Sequence, residues 1–506
     1  MDIVVRAGAL LDADVDALMI YLFEKSQPEG AAQALDRALN GALSELIAGG
    51  DIAGKAGQIA VLYPRSAVPS RRVVVVGLGP ADEFTTDRAR RAAAQGMQKA
   101  RDLKCTSTAA ALPFGNLAVT TAAEALAEGA LLGLYSYHGQ KTKEPDAPLP
   151  ETLALYVNSD EEIASAETGV HTGVAIAESV HLTRDLVNLP PNICTPAYLG
   201  QTATQVAREA GLKAEVLERR QIEALNMGAL LGVAQGSDTP PRFIILEHNA
   251  ERAGELETVV LVGKGVTFDT GGYSIKPAEG MVGMKSDMAG AAAVIGAMRA
   301  LGKLQVPLHV VGLVPAVDNM ISGHAYRPQD VLTASNGVTI EIISTDAEGR
   351  LILADALVFA SRYQPTAVID IATLTGACVV ALGSVAAGLF STDDRLRDTL
   401  LAAADHTGER VWPLPLFPEY DKLIESQTAD VKNNGGRFGG AATAAAFLRH
   451  FVDYPAWAHL DIAGMAGMES MGAGANNDNP YIPAKGATGY GVRLLVDTVR
   501  RWRPSV

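Results

Sequence analysis

The chain has 506 residues, and its 57 Asp and Glu outnumber its 42 Lys and Arg, which gives a net charge of −15. This length excludes a peptide or a lone small module and is sufficient for two or three domains. The acidic balance argues against a broad electrostatic surface for nucleic acid or for an anionic membrane, because both need an excess of Lys and Arg.

The cysteines and the apolar stretches indicate the cellular compartment in which the protein is expected to work. The three cysteines, Cys105, Cys194 and Cys378, lie far apart without a CxxC pair, which fits a reducing compartment better than a disulfide framework or a thiolate zinc site. No basic leader precedes an apolar stretch at the amino end, and the longest apolar stretch, 376–390, is shorter than the roughly 18 residues that a membrane span needs. We therefore expect a soluble cytoplasmic protein.

The first 150 residues alternate β-branched runs with Ala-rich amphipathic segments. Strand-like runs lie at 57–64 and 71–79, and a helix-like segment follows at 86–104. Strands that alternate with helices predict an α/β layer structure. A polar segment with three prolines, 139–151, interrupts the pattern and is expected to be a surface loop near the end of this domain.

A long helix is predicted to connect two domains. After a strand-like run at 152–158, residues 159–188 read as one helix with an acidic first turn, and Leu189-Pro190-Pro191 ends it. We place the domain boundary within this helix, near residue 170. The expected organisation is an N-terminal α/β domain over 1–170, with the connecting helix starting near 159, and a larger C-terminal domain over 171–506.

The C-terminal part also reads as α/β. Buried-type strands alternate with helices rich in Ala and Gly; the strands are expected at 258–265, 308–316, 366–374 and 456–464. The small residues of the helix at 287–301 would allow it to pack very close to the sheet. We therefore expect two α/β domains, each with a mixed central sheet flanked by helices.

Charged residues are embedded in apolar sequence at several places. Lys264 and Asp269 follow directly from a buried-type strand, and Lys276 and Asp287 come shortly afterwards, with Asp287 at an expected helix start. Buried ionised groups cost too much free energy unless they are paired or bind a metal. Taken singly, Asp287 could cap a helix and Lys264 with Asp269 could form an ion pair.

A second charged segment lies between an isoleucine-rich strand and an aliphatic helix. Asp346, Glu348 and Arg350 stand two residues apart there, and in an extended chain this spacing would put all three on one face. Alone, they could be a cap and a surface pair. Together with Asp269 and Asp287 they make a set of carboxylates without neighbouring histidines, which suits Mg²⁺, Mn²⁺ or Zn²⁺.

Other motifs are absent or incomplete. The sequence contains no HExxH, GxSxG or CxxC motif. The glycines at 77 and 79 resemble the start of a dinucleotide loop but Asp82 stands where its third glycine should be, and Gly265 follows Lys264 where a phosphate loop needs Ser or Thr. Both sites are therefore read as ordinary turns after a strand.

Several motifs resemble those of the leucyl (cytosol) aminopeptidases, a family of dinuclear zinc or manganese exopeptidases. Residues 344–351, STDAEGRL, match the family signature NTDAEGRL except at Ser344, and residues 262–272 match its second motif nearly throughout. Supporting matches lie at 184–196, 372–377, 459–464 and 485–493. The resemblance covers essentially all of the chain from about 180 to 506.

This resemblance implies two divalent ions per subunit, Zn²⁺ or Mn²⁺. Carried over by position, a tight site would use Lys264, Asp269, Asp287 and Glu348, and an exchangeable site would use Asp269, Asp346 and Glu348. Lys264 would bind as the neutral amine. The two metals would lower the pKa of a bridging water and so supply the attacking hydroxide.

The resemblance also implies the remaining roles. Lys276 would stabilise the oxyanion of the tetrahedral intermediate, and Arg350 would hold a bicarbonate ion that accepts a proton from the attacking water. The substrate site would be lined by Lys276, Met284, Asp287, Thr373, Leu374 and Gly376, although core packing is an alternative for the last three and for Met284. The implied activity is release of N-terminal leucine and other apolar residues from short peptides.

The resemblance further implies a homo-hexamer whose active sites face an interior cavity. A different class of function is a DNA-binding regulator or scaffold on the same hexameric fold; its support is a basic stripe consisting of Arg88, Arg90, Arg91, Lys99, Arg101 and Lys104. A metal-dependent phosphoesterase is a third alternative. Ser344, Tyr273 and Val282 depart from the family pattern and affect the expected substrate preference, not the expected reaction.

Overall fold

The computed structural model describes residues 1–112, 115–143, 148–467 and 478–503. They form two compact units. Unit 1 comprises Met1–Glu178 with Asn477–Pro483, and unit 2 comprises Ser179–Asn476 with Ala484–Val506. Residue 170 remains our proposed limit between the two domains, and each unit is described by itself.

Unit 1 contains a mixed six-stranded sheet within its described residues. The strands are β1 (Asp2–Ala7), β2 (Ala17–Phe23), β3 (Ile59–Leu62), β4 (Arg72–Gly79), β5 (Ser107–Ala111) and β6 (Thr152–Val157). Their spatial order is β1-β6-β5-β2-β4-β3, and all neighbours are parallel except β3 and β4. The strands predicted at 57–64, 71–79 and 152–158 are thereby confirmed.

Helices accompany this sheet. They are α1 (Gly30–Ala38), α2 (Ala42–Ala48), α3 (Thr86–Asp102) and α4 (Val119–Leu134). Helix α3 begins where the Thr85 hydroxyl accepts a hydrogen bond from the backbone N–H of Arg88, and its alanines are buried. The long helix predicted at 159–188 is present as α5 (Ile163–Asn188), which follows a 3-10 turn at Asp160–Glu162 and ends before the two prolines.

The basic stripe on α3 is largely neutralised by acidic partners. Arg88 pairs with Glu83, and Arg91 Nε lies 2.7 Å from Asp87 Oδ2. Arg90 is buried, with its Nε 2.6 Å from Glu128 Oε2. Because these three arginines already face carboxylates inside their own unit, they do not present the free positive charge that phosphate binding requires.

Unit 2 is built on a larger mixed sheet. Its strands are β7 (Lys213–Leu217), β8 (Arg242–His248), β9 (Thr258–Gly263), β10 (Gly265–Asp269), β11 (His309–Asn319), β14 (Ala367–Ala372), β15 (Ala387–Ser391), β16 (Val411–Pro413) and β18 (Trp457–Asp461). The spatial order is β16-β15-β18-β14-β9-β11-β8-β7, and β10 pairs with β11. A separate small sheet joins β12 (Val331–Thr333), β13 (Thr339–Glu341) and β17 (Val431–Lys432).

Helices pack around the larger sheet. They are α6 (Pro196–Ala210), α7 (Arg219–Ala224), α8 (Gly228–Ala234), α9 (Ala278–Met281), α10 (Ala289–Lys303), α11 (Gly349–Ala360), α12 (Gly376–Leu382), α13 (Asp394–Thr407), α14 (Gly440–Arg449) and α15 (Val492–Arg501). The expected α/β class with mixed sheets is confirmed. No helix among the described residues combines the length and apolarity that a bilayer crossing would demand.

Helix α10 approaches the sheet as closely as its small residues predict. A Cβ atom on Gly290 would overlap the carbonyl oxygen of Ile371 in β14, and one on Gly263 would overlap the carbonyl oxygen of Gly290. The backbone N–H of Ala291 donates to the carbonyl of Lys264 at 2.8 Å. The helix therefore fixes the backbone at the position where Lys264 leaves β9.

One edge of this sheet collects the polar residues. Strands β9, β10, β11, β14 and β18 run parallel to their neighbours within this group, so their carboxyl ends meet at the same edge. The residues at or just beyond these ends are Lys264, Asp269, Asn319, Thr373 and Asp461. Parallel pairing thus brings together residues that lie far apart in the sequence.

Candidate active site

Lys264 lies at the centre of a buried charged cluster. Its Nζ is 2.8 Å from Asp287 Oδ1 and 2.8 Å from Glu348 Oε1, and it donates a hydrogen bond to the carbonyl of Thr373 at 2.9 Å. The Lys264 side chain is only 4% exposed. Asp287 also accepts a hydrogen bond from the Thr373 hydroxyl at 2.7 Å.

Lys276 joins the other two carboxylates of the cluster. Its Nζ lies 2.8 Å from Asp269 Oδ2 and 2.5 Å from Asp346 Oδ1. Asp269 is buried and its Oδ1 accepts hydrogen bonds from Gly271 N–H and from the Asn319 amide, both at 2.8 Å. Four carboxylates thus share two ammonium groups, which leaves the cluster short of positive charge.

The donor atoms of this cluster fit divalent cations. Carboxylate oxygens of Asp269, Asp346 and Glu348 lie within 4.8 Å of one another, a spacing at which one ion can contact all three. Asp287 Oδ2 is buried and makes no hydrogen bond within the described part of the chain. An oxygen-rich, mostly buried donor set with an unsatisfied carboxylate oxygen is what Mn²⁺, Mg²⁺ or Zn²⁺ can use.

The pKa values of the acidic groups reflect the crowding. Burial raises the pKa of Asp287 well above its usual range; Lys264 opposes this rise, while Glu348 and Asp269 add to it. The pKa of Asp346 is raised to about 6 by loss of water around its carboxyl group and then by Glu348 and Asp269, with Lys276 acting in the opposite direction. Without a metal, it is therefore unfavourable for all carboxylates of this cluster to be ionised together. A bound cation would stabilise their ionised forms.

Asp346, Glu348 and Arg350 do not lie in extended chain, so this part of the sequence interpretation was wrong. Asp346 stands in a turn, Glu348 has right-handed helical angles, and Arg350 belongs to the first turn of α11. The chain turns because Thr345 is held from several sides: its hydroxyl donates to Gly271 O at 2.6 Å, and its carbonyl accepts hydrogen bonds from the Asn319 amide and the Tyr326 hydroxyl. The carboxylates of Asp346 and Glu348 nevertheless face the cluster.

Asp287 also differs from its expected local structure. It lies in a 3-10 turn, Met284–Met288, that precedes α10, and it does not cap that helix. Its carboxylate is instead held between Lys264 and Thr373. The cap interpretation fails because the carboxylate faces the buried amine rather than the first N–H groups of α10.

Gly349 is required by a close approach. A Cβ atom at this position would lie 2.5 Å from Cε and 2.6 Å from Nζ of Lys264. Such distances are incompatible with any side chain unless the lysine moves. The glycine between Glu348 and Arg350 therefore lets the start of α11 pass directly against the Lys264 amine.

Arg350 is buried beside the cluster and keeps part of its hydrogen-bonding capacity. Its Nη1 donates to the carbonyl of Asn433 at 2.7 Å, whereas Nε makes no hydrogen bond within the described residues. Burial lowers the pKa of Arg350 to about 10, and Glu348, Asp461 and Asp346 oppose this effect. The guanidinium remains positive near neutral pH.

Asn433 organises this loop but was not among the predicted site residues. Its Nδ2 donates to Ser344 O at 2.7 Å, its Oδ1 accepts from Ile343 N–H at 2.8 Å, and its backbone carbonyl holds Arg350. Asn433 is fully buried. A polar pair, Asn433-Asn434, directly before a Gly-rich stretch was the signal available in the sequence.

Asp461 is a second residue that the sequence analysis missed. Its Oδ1 accepts hydrogen bonds from Leu374 N–H at 3.2 Å and Thr375 N–H at 3.3 Å, and its Oδ2 accepts one from the Thr375 hydroxyl at 2.6 Å. It thereby fixes the loop that follows β14. Its signal was the same as for Asp269: a carboxylate at the end of an apolar strand.

All predicted site residues line one cavity of about 410 Å³. They are Lys264, Asp269, Lys276, Met284, Asp287, Asp346, Glu348, Arg350, Thr373, Leu374 and Gly376. Further lining residues come from the segment after β17, among them Asn434 and Arg437. Tyr273 is not part of the lining; its hydroxyl donates a hydrogen bond to Ser322 O at 3.0 Å.

Comparison with known proteins gives concordant results for both parts of the chain. Residues 181–496 match the cytosol aminopeptidase family, catalytic domain, and residues 19–144 match the cytosol aminopeptidase family, N-terminal domain. A probable cytosol aminopeptidase of Roseiflexus castenholzii is 45% identical and is covered over 99% of both chains. One from Geobacter sp. is 44% identical over 99% of this chain and 100% of its own.

Solved structures agree with this result. A tomato leucine aminopeptidase variant superimposes with a TM-score of 0.85 at 34% identity, over 99% of this chain and 96% of its own. The bottromycin maturation enzyme BotP, solved in complex with Mn, has a TM-score of 0.83 at 36% identity, over 96% of this chain and 99% of its own. The chain therefore belongs to the cytosol aminopeptidase family and is a metal-dependent hydrolase that acts on the amino ends of peptides.

Proposed function

We propose that the protein releases N-terminal leucine and other apolar residues from short peptides, using two divalent cations. One cation would be held by Lys264, Asp269, Asp287 and Glu348, and the other by Asp269, Asp346 and Glu348. The observation that carries this proposal is the sharing of two ammonium groups by four carboxylates inside one cavity. Divalent cations in such a site polarise the scissile carbonyl group and lower the pKa of the attacking water.

Lys264 must change its protonation state for this role. In the protein alone its pKa is raised: burial lowers it, but Asp287, Glu348 and Asp269 together outweigh burial. An ammonium group has no lone pair, so a cation bound at Lys264 would have to displace a proton. We therefore expect metal binding to release protons and to weaken as pH falls.

Lys276 has a different role because it stays charged. Burial lowers its pKa, but Asp269, Glu348 and Asp346 raise it by more. Its side chain is 17% exposed and lines the cavity, so its N–H groups can reach a substrate. We propose that Lys276 stabilises the negative oxygen that develops on the scissile carbonyl.

Arg350 would hold a bicarbonate ion. Its guanidinium is fixed through Nη1 by the Asn433 carbonyl, while its buried Nε is without a hydrogen bond in the described part of the molecule and can donate to a small anion. A bicarbonate at this point would accept the proton from the attacking water. A carboxylate side chain is then not needed for that task.

The apolar preference would come from the cavity wall. Met284 and Leu374 line the cavity, and Thr373 and Gly376 lie beside them. A flexible thioether and an aliphatic side chain favour an apolar first residue of the peptide. The α-amino group of that residue would lie among the carboxylates, which confines cleavage to the amino end.

We further propose a cytoplasmic homo-hexamer acting on short peptides.

The test combines metal content with hydrolysis of leucine p-nitroanilide. We expect about two metal ions per chain, loss of activity after dialysis against chelator, and recovery with Mn²⁺ or Zn²⁺. Glu348→Ala should abolish hydrolysis and reduce bound metal without unfolding the protein. Glu251→Ala, at an exposed position outside the cavity, is the matched control.

Full activity in Glu348→Ala, or a folded wild type that binds no metal and hydrolyses no leucine substrate, would overturn the proposal. Light scattering would test the hexamer, since six chains of 52.9 kDa each are expected in one particle.

A further inference from the structure

Among the described residues that line the cavity, one cation is not used by the proposed reaction. Lys264 and Lys276 each contact two carboxylates, and Arg350 is tied to the Asn433 carbonyl. Arg437 also lines the cavity, is exposed, and has no acidic partner within ion-pair distance among the described residues. Its guanidinium is therefore available to a ligand that enters from solvent.

The loop that carries Arg437 is anchored at both ends. On one side, Asn434 Oδ1 accepts a hydrogen bond from Gly436 N–H at 2.7 Å, next to the buried Asn433. On the other side, α14 begins at Gly440, and its residues Gly440 and Thr443 line the same cavity. The first turn of α14 contains no acidic residue, so its free N–H groups add positive potential near Arg437.

The cavity is therefore lined by groups of both charges. The carboxylate cluster lies mostly among buried residues, and the loop after β17 contributes the exposed Arg437, for which the described residues supply no counterion. A short peptide has the complementary arrangement, with an ammonium group at one end and a carboxylate at the other. In extended chain these ends are separated by about 7 Å in a dipeptide and about 10 Å in a tripeptide.

We propose that Arg437 binds the C-terminal carboxylate of the substrate and that the preferred substrates are dipeptides and tripeptides with a free carboxyl end. The inference rests on the proposed function, because it assumes that the amino end of the peptide lies at the carboxylate cluster. Arginine suits this task because its planar fork can donate two parallel hydrogen bonds to a carboxylate. Arg437 is a specificity residue here and takes no part in bond cleavage.

The experiment compares free acids with neutral analogues. For the metal-loaded wild type, kcat and KM are measured on Leu-Gly and Leu-Gly-Gly, on the corresponding C-terminal amides, and on leucine p-nitroanilide. We expect kcat/KM for at least one free acid to exceed that of its amide by roughly tenfold, mainly through KM. The preference should shrink as ionic strength rises, because Arg437 is exposed.

The variants assign this preference to one residue. Arg437→Gln should abolish the difference between acid and amide while leaving leucine p-nitroanilide hydrolysis and the unfolding temperature unchanged, and Arg437→Lys should keep part of it. The control is Arg252→Gln, an exposed arginine that does not line the cavity, and it should behave as wild type.

Equal kcat/KM for acids and amides in the wild type, or a preference that survives in Arg437→Gln, would overturn the inference. A wild type that fails on leucine p-nitroanilide as well would instead contradict the proposed function, so the two failures are distinguishable.

Discussion

At the scale of single residues, the start of α11 and the Lys264 amine are in direct contact. Lys264 is held by Asp287, Glu348 and the Thr373 carbonyl, so it cannot move away without breaking at least one of these contacts. Gly349 leaves room for the amine, and no other residue type would do so. The position is therefore sensitive although Gly349 has no side chain to contribute.

We expect Gly349→Ala to lower kcat/KM on leucine p-nitroanilide by at least about a hundredfold, because a displacement of about 1 Å in such a site can cost that much. The added methyl group would displace Lys264 Nζ, from which it would lie 2.6 Å. Bound metal should fall in parallel. Gly254→Ala, where a Cβ atom would meet no atom within 4 Å, is the matched control. Wild-type activity in Gly349→Ala would show that the lysine can shift at no cost.

The predictable site residues share one signal, a charge embedded in apolar sequence. Lys264, Asp269 and Glu348 have this signal because burying a charge is expensive and implies a partner. Asn433 and Arg437 lacked it, since an amide and a lone arginine in a polar loop look like ordinary surface residues. The role of Asn433 depends on hydrogen bonds to Ser344 and Ile343, 89 and 90 residues away, which periodicity and composition do not report.

At the scale of secondary-structure elements, α11 links the site to the surrounding frame through Asp355. The carboxylate is buried and accepts hydrogen bonds from Leu230 N–H in α8 at 2.9 Å and from Ser335 N–H at 2.7 Å. Burial raises its pKa to about 6, and these N–H donors oppose the rise. The protonated form is thus favoured by folding.

This shift predicts a pH dependence of stability with a definite sign. Because the folded pKa of Asp355 exceeds its ordinary value of 3.8, its contribution is greatest below that value and is lost as pH rises through about 6. The loss is at most about 3 kcal/mol. In chelator-treated protein, the unfolding temperature of wild type relative to Asp355→Asn should fall between pH 4 and pH 6 and then level off.

The prediction would be contradicted if the unfolding temperature of the wild type, relative to that of Asp355→Asn, rose between pH 4 and pH 6. The hydrogen bonds to the ionised carboxylate would then outweigh the cost of burying it. Asp398→Asn, at an exposed position on α13, is a control that should show no such trend.

Elements with strong local signals were predictable. Helix α3, helix α5 and strand β4 follow from amphipathic or β-branched runs bounded by prolines or polar residues. The turn at Asp346 was not, because it is imposed by hydrogen bonds to Thr345 from Asn319 and Tyr326. A local pattern of alternating residues is read as extended chain unless such distant donors are known.

At the scale of the whole molecule, the α/β class could be predicted because strands and helices alternate along the chain. The strand order could not, since it depends on which β-strands pair across long separations. Sequence similarity supplied what spacing alone left open, namely that the separate charged segments belong to one site. Their meeting point at the carboxyl edge of parallel strands then follows from the topology.

The substitution Asp346→Asn should affect the stability of the folded chain in opposite ways without and with metal. Asp346 has a raised pKa in the crowded cluster, so Asp346→Asn should raise the unfolding temperature of chelator-treated protein at neutral pH. The same change removes a donor, and so the variant should gain less than wild type when Mn²⁺ is added. Calorimetry with and without Mn²⁺ measures both effects.

The outcome that would contradict this prediction is an Asp346→Asn protein that is destabilised without metal and stabilised by Mn²⁺ as much as wild type. Asp51→Asn, an exposed position in unit 1, should leave both unfolding temperatures unchanged.

The backbone contact between Gly263 and Gly290 limits how this enzyme can diverge. Neither glycine lines the cavity, yet each leaves no room for a methyl group beside Lys264, so most mutations there would be eliminated before any new activity could be selected. The loops at 373–376 and 434–437 also border the cavity, but not every residue in them is constrained by such a close contact. Laboratory evolution of substrate preference should therefore accumulate its changes in those loops and leave the contact between helix and sheet unaltered.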